Sequence, residues 1–343
     1  MRWVLRLVVY LLVAIVAAIG VAFVLPSTSH VERSITIDRP ASQIHLLLSG
    51  FRRFNEWSPW FGRDPNATYT LSGPARGVGA KLAWASAQAD VGTGSQTVVA
   101  LAPNESVDIE LEFEGYGKSA ARFALAPNGV GTRVTWSFDG RHPLAFDGAF
   151  VRNVIGRYMG LAMDRMVGPD YEAGLAKLKR LVESFPNVDV AGVAPEVVEL
   201  PPRKIVTVTG TVSLDDPALV AKSLRDAFAQ VWRFASDNKL AIEGERLTLT
   251  RASDGASWTY DAGVGAAWDV MPQDALVLGR QVPAGRAVRV SYVGPLKGLS
   301  KVVQQAHGWI AVQGWKTRDM TLQEYSGDLD APDLKVVVSI PVE

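Results

Sequence analysis

Lys204–Val212 reads KIVTVTGTV, and Arg286–Val293 reads RAVRVSYV. Both runs alternate apolar and polar residues, the period-two pattern of a half-buried strand. Val206 and Val208 in the first take the same alternate positions as Val288 and Val290 in the second. Each run leads into an amphipathic helix and then two more strand-like runs. The first helix, predicted over Pro217–Ser236, carries Val220, Leu224, Phe228, Val231 and Ala235 on one stripe. Pro217 falls in its first turn, where a missing N–H costs little. The second helix, predicted over Leu299–Val312, repeats the stripe with Leu299, Val303, Ala306 and Ile310, and Lys335–Ile340 (KVVVSI) reads as a closing strand. The echo predicts two βαββ units in tandem. Such a pseudo-two-fold module has a cleft where its halves meet, a place suited to a small molecule.

Upstream, residues 184–195 (SFPNVDVAGVAP) contain proline and glycine without periodicity and read as a linker. Before it, Ala145–Glu183 is helical by period, with Phe150, Val154, Tyr158, Leu161 and Arg165 on one stripe. Gly168–Pro169 predicts a kink or break there, because proline removes one backbone hydrogen bond. From Thr68 to Phe138, strand-like runs separated by turn residues predict an antiparallel meander. Val31–Asp38 alternates as a strand, and residues 41–49 read as a short helix. The triple Glu110, Glu112 and Glu114 alternates with Ile109, Leu111 and Phe113, which reads as a solvated strand face.

At the N-terminus, Leu7–Leu25 holds nineteen residues without a charge. That is about 28 Å of helix, close to the hydrocarbon thickness of a bilayer. Arg2 and Arg6 precede it, so the positive-inside rule puts residues 1–6 in the cytoplasm and the rest of the chain outside. The expectation is an uncleaved single-pass anchor in the cytoplasmic membrane, with both domains periplasmic or extracellular. A cleaved signal peptide is the competing reading, although its apolar core is usually shorter. The chain of 343 residues has 35 basic and 35 acidic residues, so nothing draws it globally to nucleic acid or anionic lipid. It has no cysteine, which excludes disulfides, thiolate metal sites and cysteine nucleophiles. His30, His45, His142 and His307 are far apart without metal-ligand spacing, so no metal is expected. No nucleophile elbow, P-loop or dinucleotide fingerprint appears, so neither catalytic residues nor a cofactor are assigned.

Residues 31–184 resemble the START-like (SRPBCC) superfamily, often labelled polyketide cyclase-like. The resemblance rests on VERSITIDRPASQI at 31–44, Trp57-Ser58-Pro59-Trp60, Gly77-Val78-Gly79-Ala80 before Trp84, GTRVTW at 131–136, and residues 174–179. It implies a helix-grip fold, a bent antiparallel sheet around a long helix, with a cavity for a hydrophobic small molecule or lipid. Residues 196–343 resemble the gyrase-inhibitor-like, or bacterial transcription-activator, effector-binding domain. Here the matching residues are Val282–Arg286, Gly294-Pro295, Trp309, Gln323-Glu324-Tyr325 and Ile340-Pro341-Val342. That resemblance independently implies the duplicated βαββ unit. In that family a glutamate two positions before the tyrosine commonly lines the cleft. Gln323 stands there in this chain, and Glu324 would point to the opposite face.

The expected architecture is α+β: a membrane helix at 7–25, a helix-grip domain at 31–184, a linker at 185–195 and a duplicated domain at 196–343. In the first domain the candidate cavity residues are Trp57, Trp60, Phe113, Phe123, Trp136, Tyr158 and Leu161, with simple core packing as the alternative. In the second, Tyr292, Trp315, Gln323 and Tyr325 are candidates for one aromatic-walled cleft, and Trp258, Tyr260 and Trp268 for its opposite wall. The leading function is a binder of hydrophobic or amphipathic small molecules or lipids, with no nucleic-acid partner. An enzyme of cyclase or hydrolase type is a second reading and needs a pocket acid such as Asp147 or Glu324. An adaptor with filled cavities is the third.

Overall fold

Helix α1 (Arg2–Val24) opens the chain, and its apolar side chains are almost all exposed. It is long and apolar enough to cross a membrane, with a mean hydropathy of 3.0 over its best window. The computed structural model describes residues 2–88, 91–144, 150–268, 277–318 and 320–343. The chain divides into two units, Met1–Asn187 and Val188–Glu343. Each is built on one antiparallel sheet, giving a mixed α and β fold behind an apolar N-terminal helix.

In the first unit β1 (Thr28–Ile37), α2 (Ala41–Leu48) and α3 (Phe54–Trp57) precede a meander. Its strands are β2 (Thr68–Ser72), β3 (Lys81–Ala85), β4 (Thr93–Ala102), β5 (Ser106–Phe113), β6 (Gly117–Asn128) and β7 (Gly131–Arg141). The spatial order is β1-β7-β6-β5-β4-β3-β2, so β1 closes onto the last strand, from Thr28↔Arg141 to Ile37↔Thr132. The glutamate face of β5 is answered across the ladder. Glu110 pairs with Lys118 and Asp108 with Arg122.

Helix α4 (Phe150–Glu183) packs on this sheet through Tyr171, Leu175, Leu178 and Val182, an i, i+4, i+7, i+11 stripe. Gly174 permits the approach, because a Cβ there would lie 2.9 Å from Trp136 and 3.1 Å from Pro59. Of the kink or break expected at Pro169, the break does not occur, and α4 continues through it. Arg33 of β1 spans the proline. Its guanidinium donates to Asp164 at 2.7 Å and to Glu172 at 2.7 Å, tying together the turns on either side of the proline. The expected helix start at Ala145 lies outside the described residues.

In the second unit the elements are β8 (Glu196–Leu200), β9 (Arg203–Ser213), α5 (Pro217–Asp237), β10 (Ala241–Ser253) and β11 (Ser257–Ala267). They continue with β12 (Val277–Val282), β13 (Gly285–Val293), α6 (Leu299–Gln313), β14 (Leu322–Ser326) and β15 (Lys335–Pro341). Asp216 caps α5 by accepting from the N–H of Ala218, with Pro217 at the first position. The strand order β12-β9-β11-β10-β14-β15-β13-β8 is a palindrome of two equivalent halves. The halves meet at β10 and β14, where Thr248 faces Gln323.

The edge strands are exchanged. β8 runs into β9 but pairs with β13, and β12 runs into β13 but pairs with β9. Between Val282 and Gly285 lie only two residues, which reach about 11 Å at most. A flat sheet would set β12 and β13 six strand spacings apart, about 29 Å. The sheet must therefore curl until its two edges converge at residues 200–203 and 282–285. Its outer face carries Val206, Val208 and Val264 against Val231 of α5. Its inner face carries Ile205, Leu247, Leu249, Val282 and Leu322, with Met320 packed on them.

Candidate functional site

Inside the curl is a cavity of about 560 Å³. Its walls come from both halves: Leu249 and Leu322 from the junction strands, and Leu200, Val282 and Pro283 from the converging edges. Met320 adds a flexible apolar wall. The polar lining is short, comprising Arg251, Thr317, Arg318 and Glu343. Next to it on the same sheet face is Asp261, which is fully buried. Thr209 Oγ1 donates to its Oδ1 at 2.6 Å, and its Oδ2 lies 2.9 Å from Arg280 Nε and 3.6 Å from Arg251 Nη1. These contacts tie Arg251 to the wall. Apolar walls with a few polar groups of both charges suit an amphipathic guest.

The residues expected to form the second domain's cleft lie elsewhere. Tyr325 and Gln323 sit on the outer face beneath α5, with the Tyr325 ring 6.1 Å from Phe228. Tyr325 Oη donates to Gln323 Oε1 at 2.6 Å and lies 3.1 Å from Thr248 Oγ1. Burial pushes the Tyr325 phenol well above its usual range. Tyr260 is buried two strands away, 2.5 Å from Ser223 of α5, and its ring is 4.5 Å from that of Trp258. Trp258 Nε1 donates to Thr250. These four residues share the α5 face. Trp268 takes a cation–π contact from Lys204. Trp315 is flanked by Trp309 and Arg286, and Tyr292 donates to the Pro295 carbonyl. None of the seven lines the 560 Å³ cavity. Glu324 points to the inner face, as its position one residue from Gln323 requires, and is ion-paired with Arg203. Asp147 lies outside the described residues.

In the first unit, Trp57, Phe123 and Trp136 do come together, but on one another. Trp136 stacks on Phe123 at 5.1 Å and on Tyr171 at 3.8 Å, and Trp57 meets both Trp136 and Phe123 edge-on. Trp60 is half-buried at the margin, with its Nε1 on Asp170 at 3.0 Å. Phe113 packs on Trp84. Tyr158 and Leu161 do not face Phe113, Phe123 or Trp136, and both are exposed. The reason is axial distance: Tyr171, which does face them, is thirteen residues further along α4, about 20 Å.

The lining residues missed in the sequence are Leu200, Leu249, Arg251, Val282, Arg318, Met320 and Leu322. A signal existed in Leu247 and Leu249, which alternate with Thr248 and Thr250 and so mark a second apolar face. Which face stays open depends on the curl, which alternation does not encode.

Among solved structures, the C-terminal domain of EcmrR aligns at 15% identity, over 44% of this chain and 98% of its own, with a TM-score of 0.39. Protein CV1439 from Chromobacterium violaceum aligns at 17% identity, over 45% and 98%, with a TM-score of 0.31. SAV2435 bound to tetraphenylphosphonium aligns at 12% identity, over 44% and 94%, with a TM-score of 0.32. The comparison with curated proteins finds no match. Residues 28–183 match the family described as polyketide cyclase / dehydrase and lipid transport.

Proposed function

We propose that the protein is a membrane-anchored, extracytoplasmic binder of hydrophobic or amphipathic small molecules or lipids, with the inside of the second domain's curled sheet as its principal site. The observation that carries this reading is the cavity itself. Its volume of about 560 Å³ falls within the roughly 300–1,000 Å³ of small-molecule sites, and its walls are mostly apolar. Arg251, Arg318, Thr317 and Glu343 favour a guest with a strongly polar end. The family of residues 28–183 supports the same class of ligand. The apolar helix α1 supports the anchor, and Arg2 and Arg6 before its core support an N-terminus inside. Glu324, the acid that a hydrolytic reading would use, is held by Arg203.

The full chain, purified in detergent, is to be examined by native mass spectrometry, with solvent extraction of what it carries. A stoichiometric amphipathic molecule is expected, and Leu249→Trp, which fills the cavity, is expected to lose it while keeping the fold. A wild-type protein with no bound mass, or retention of the guest by Leu249→Trp, would remove this cavity as the site. A C-terminal reporter that matures only outside the cytoplasm is expected to be active. Activity of a cytoplasm-only reporter there would sink the topology.

A further inference from the structure

The first half of α4 carries an apolar stripe left uncovered among the described residues. Val151, Ile155, Tyr158, Met159, Ala162 and Met166 recur at the spacing of one helical face. Val151 is 71% exposed, Ile155 53% and Met166 54%. Further along the same helix, Tyr171, Leu175, Leu178 and Val182 are buried on the sheet from the opposite side of α4, so the stripe faces away from the sheet. An exposed stripe of this length on a soluble surface is unfavourable unless something covers it.

Its neighbour is α1. Tyr158 Oη donates to the carbonyl of Ala18 at 2.6 Å, and Arg157 donates to the carbonyl of Leu25. Ala18 precedes Leu25 by seven residues, about 10 Å along the helix. If Leu25 marks the end of the uncharged run, the Tyr158 hydroxyl is held at the depth of an in-plane interfacial helix, roughly 5–10 Å below the surface. The charges agree. From Phe150 to Met163 the charged residues are Arg152 and Arg157, both basic, and the first carboxylate, Asp164, is engaged by Arg33. Arginines beside an apolar stripe that includes a tyrosine are what a helix at a lipid surface presents.

We propose that the first half of α4 lies in the headgroup–acyl boundary of the bilayer that α1 crosses, as a second point of membrane contact. This rests on the reading of α1 as a membrane span. The stripe and the exposed apolar surface of α1 then form one lipid-facing surface, which holds the first domain against the membrane.

The chain has no cysteine, so single-cysteine variants of the full protein are direct probes. Val16→Cys, Ile155→Cys, Met159→Cys and Val130→Cys are to be labelled with an environment-sensitive fluorophore. Each is then placed in phosphatidylethanolamine–phosphatidylglycerol vesicles containing lipid spin-labelled near the headgroup. Val130 is exposed in the turn between β6 and β7, at the end of β1 away from α1, about 30 Å off by strand rise. Quenching at 16, 155 and 159 is expected to exceed that at 130 roughly severalfold. Quenching at 16 alone, with 155 and 159 matching 130, overturns the proposal and leaves the anchor standing. Protection of 155 and 159 from aqueous iodide without lipid quenching also overturns it, and assigns the stripe to a second copy or another protein. A probe at 16 that matches 130 overturns the anchor reading, and the in-plane placement with it.

Discussion

Tyr325 shows how one side chain is committed by its hydrogen bonds. Its ring is fully buried, and its hydroxyl holds Gln323 Oε1 at the junction of the two half-sheets. Tyr325→Phe keeps the shape and leaves a buried amide oxygen without its donor. A loss of about 1–3 kcal/mol is expected, read from the second domain's transition in urea. An unchanged transition would show that Gln323 finds another partner. Gln323 and Tyr325 were legible as a pair because an i, i+2 spacing on a strand puts them on one face. That their face is closed by Phe228 was not legible, since Phe228 lies almost a hundred residues away in sequence. Trp136 makes the same point in the first domain. Its tryptophan neighbour at 57 was foreseeable as a core or cavity residue, whereas its closest stacking partner, Tyr171, was passed over for Tyr158 on the same helix.

At the scale of elements, α4 departs from local rules. Proline in a helix interior is expected to break it, and here a residue from another element spans the break. Arg33 engages Asp164 and Glu172 together, and those contacts raise its own pKa above the usual guanidinium range. Arg33→Ala is expected to loosen α4 at Pro169. Amide hydrogen exchange on either side of the proline should speed up by roughly tenfold, while exchange around Leu175 and Leu178 stays slow. Equal protection in both proteins would show that packing alone carries the helix through. α5 obeys local rules throughout. Its start at Pro217 and its buried stripe were both readable, because first-turn proline and 3.6-residue period agree.

Across the whole molecule, three histidines act with one sign. Burial holds His45, His142 and His307 below the ordinary value of 6.5, and Arg157 adds repulsion at His142. A lowered folded-state pKa means that the unfolded chain takes the proton first as pH falls. Stability is therefore level above the unfolded value, falls as pH drops below about 6.5, and levels again only below the folded-state values. His307 is the histidine of the second domain. His307→Gln is expected to flatten that domain's denaturation midpoint between roughly pH 7 and pH 5. A wild-type midpoint that rises toward pH 5 would contradict the shift.

What the sequence by itself determined was periodic and local. The apolar run at 7–25, the meander, the helix stripes and the duplicated βαββ pattern follow from hydrophobic period and turn chemistry, which neighbouring residues carry between them. Tertiary structure alone decided the exchange of the edge strands, because β8 and β12 read as ordinary strands wherever they pair. That exchange, joined by two-residue links, forces the sheet to curl, and the curl decides which face is a cavity and which a core. The exposed stripe of α4 has the same origin. It has the same period as the buried one but lies on the opposite side of the helix, and only packing against the sheet decides which of the two sides is covered.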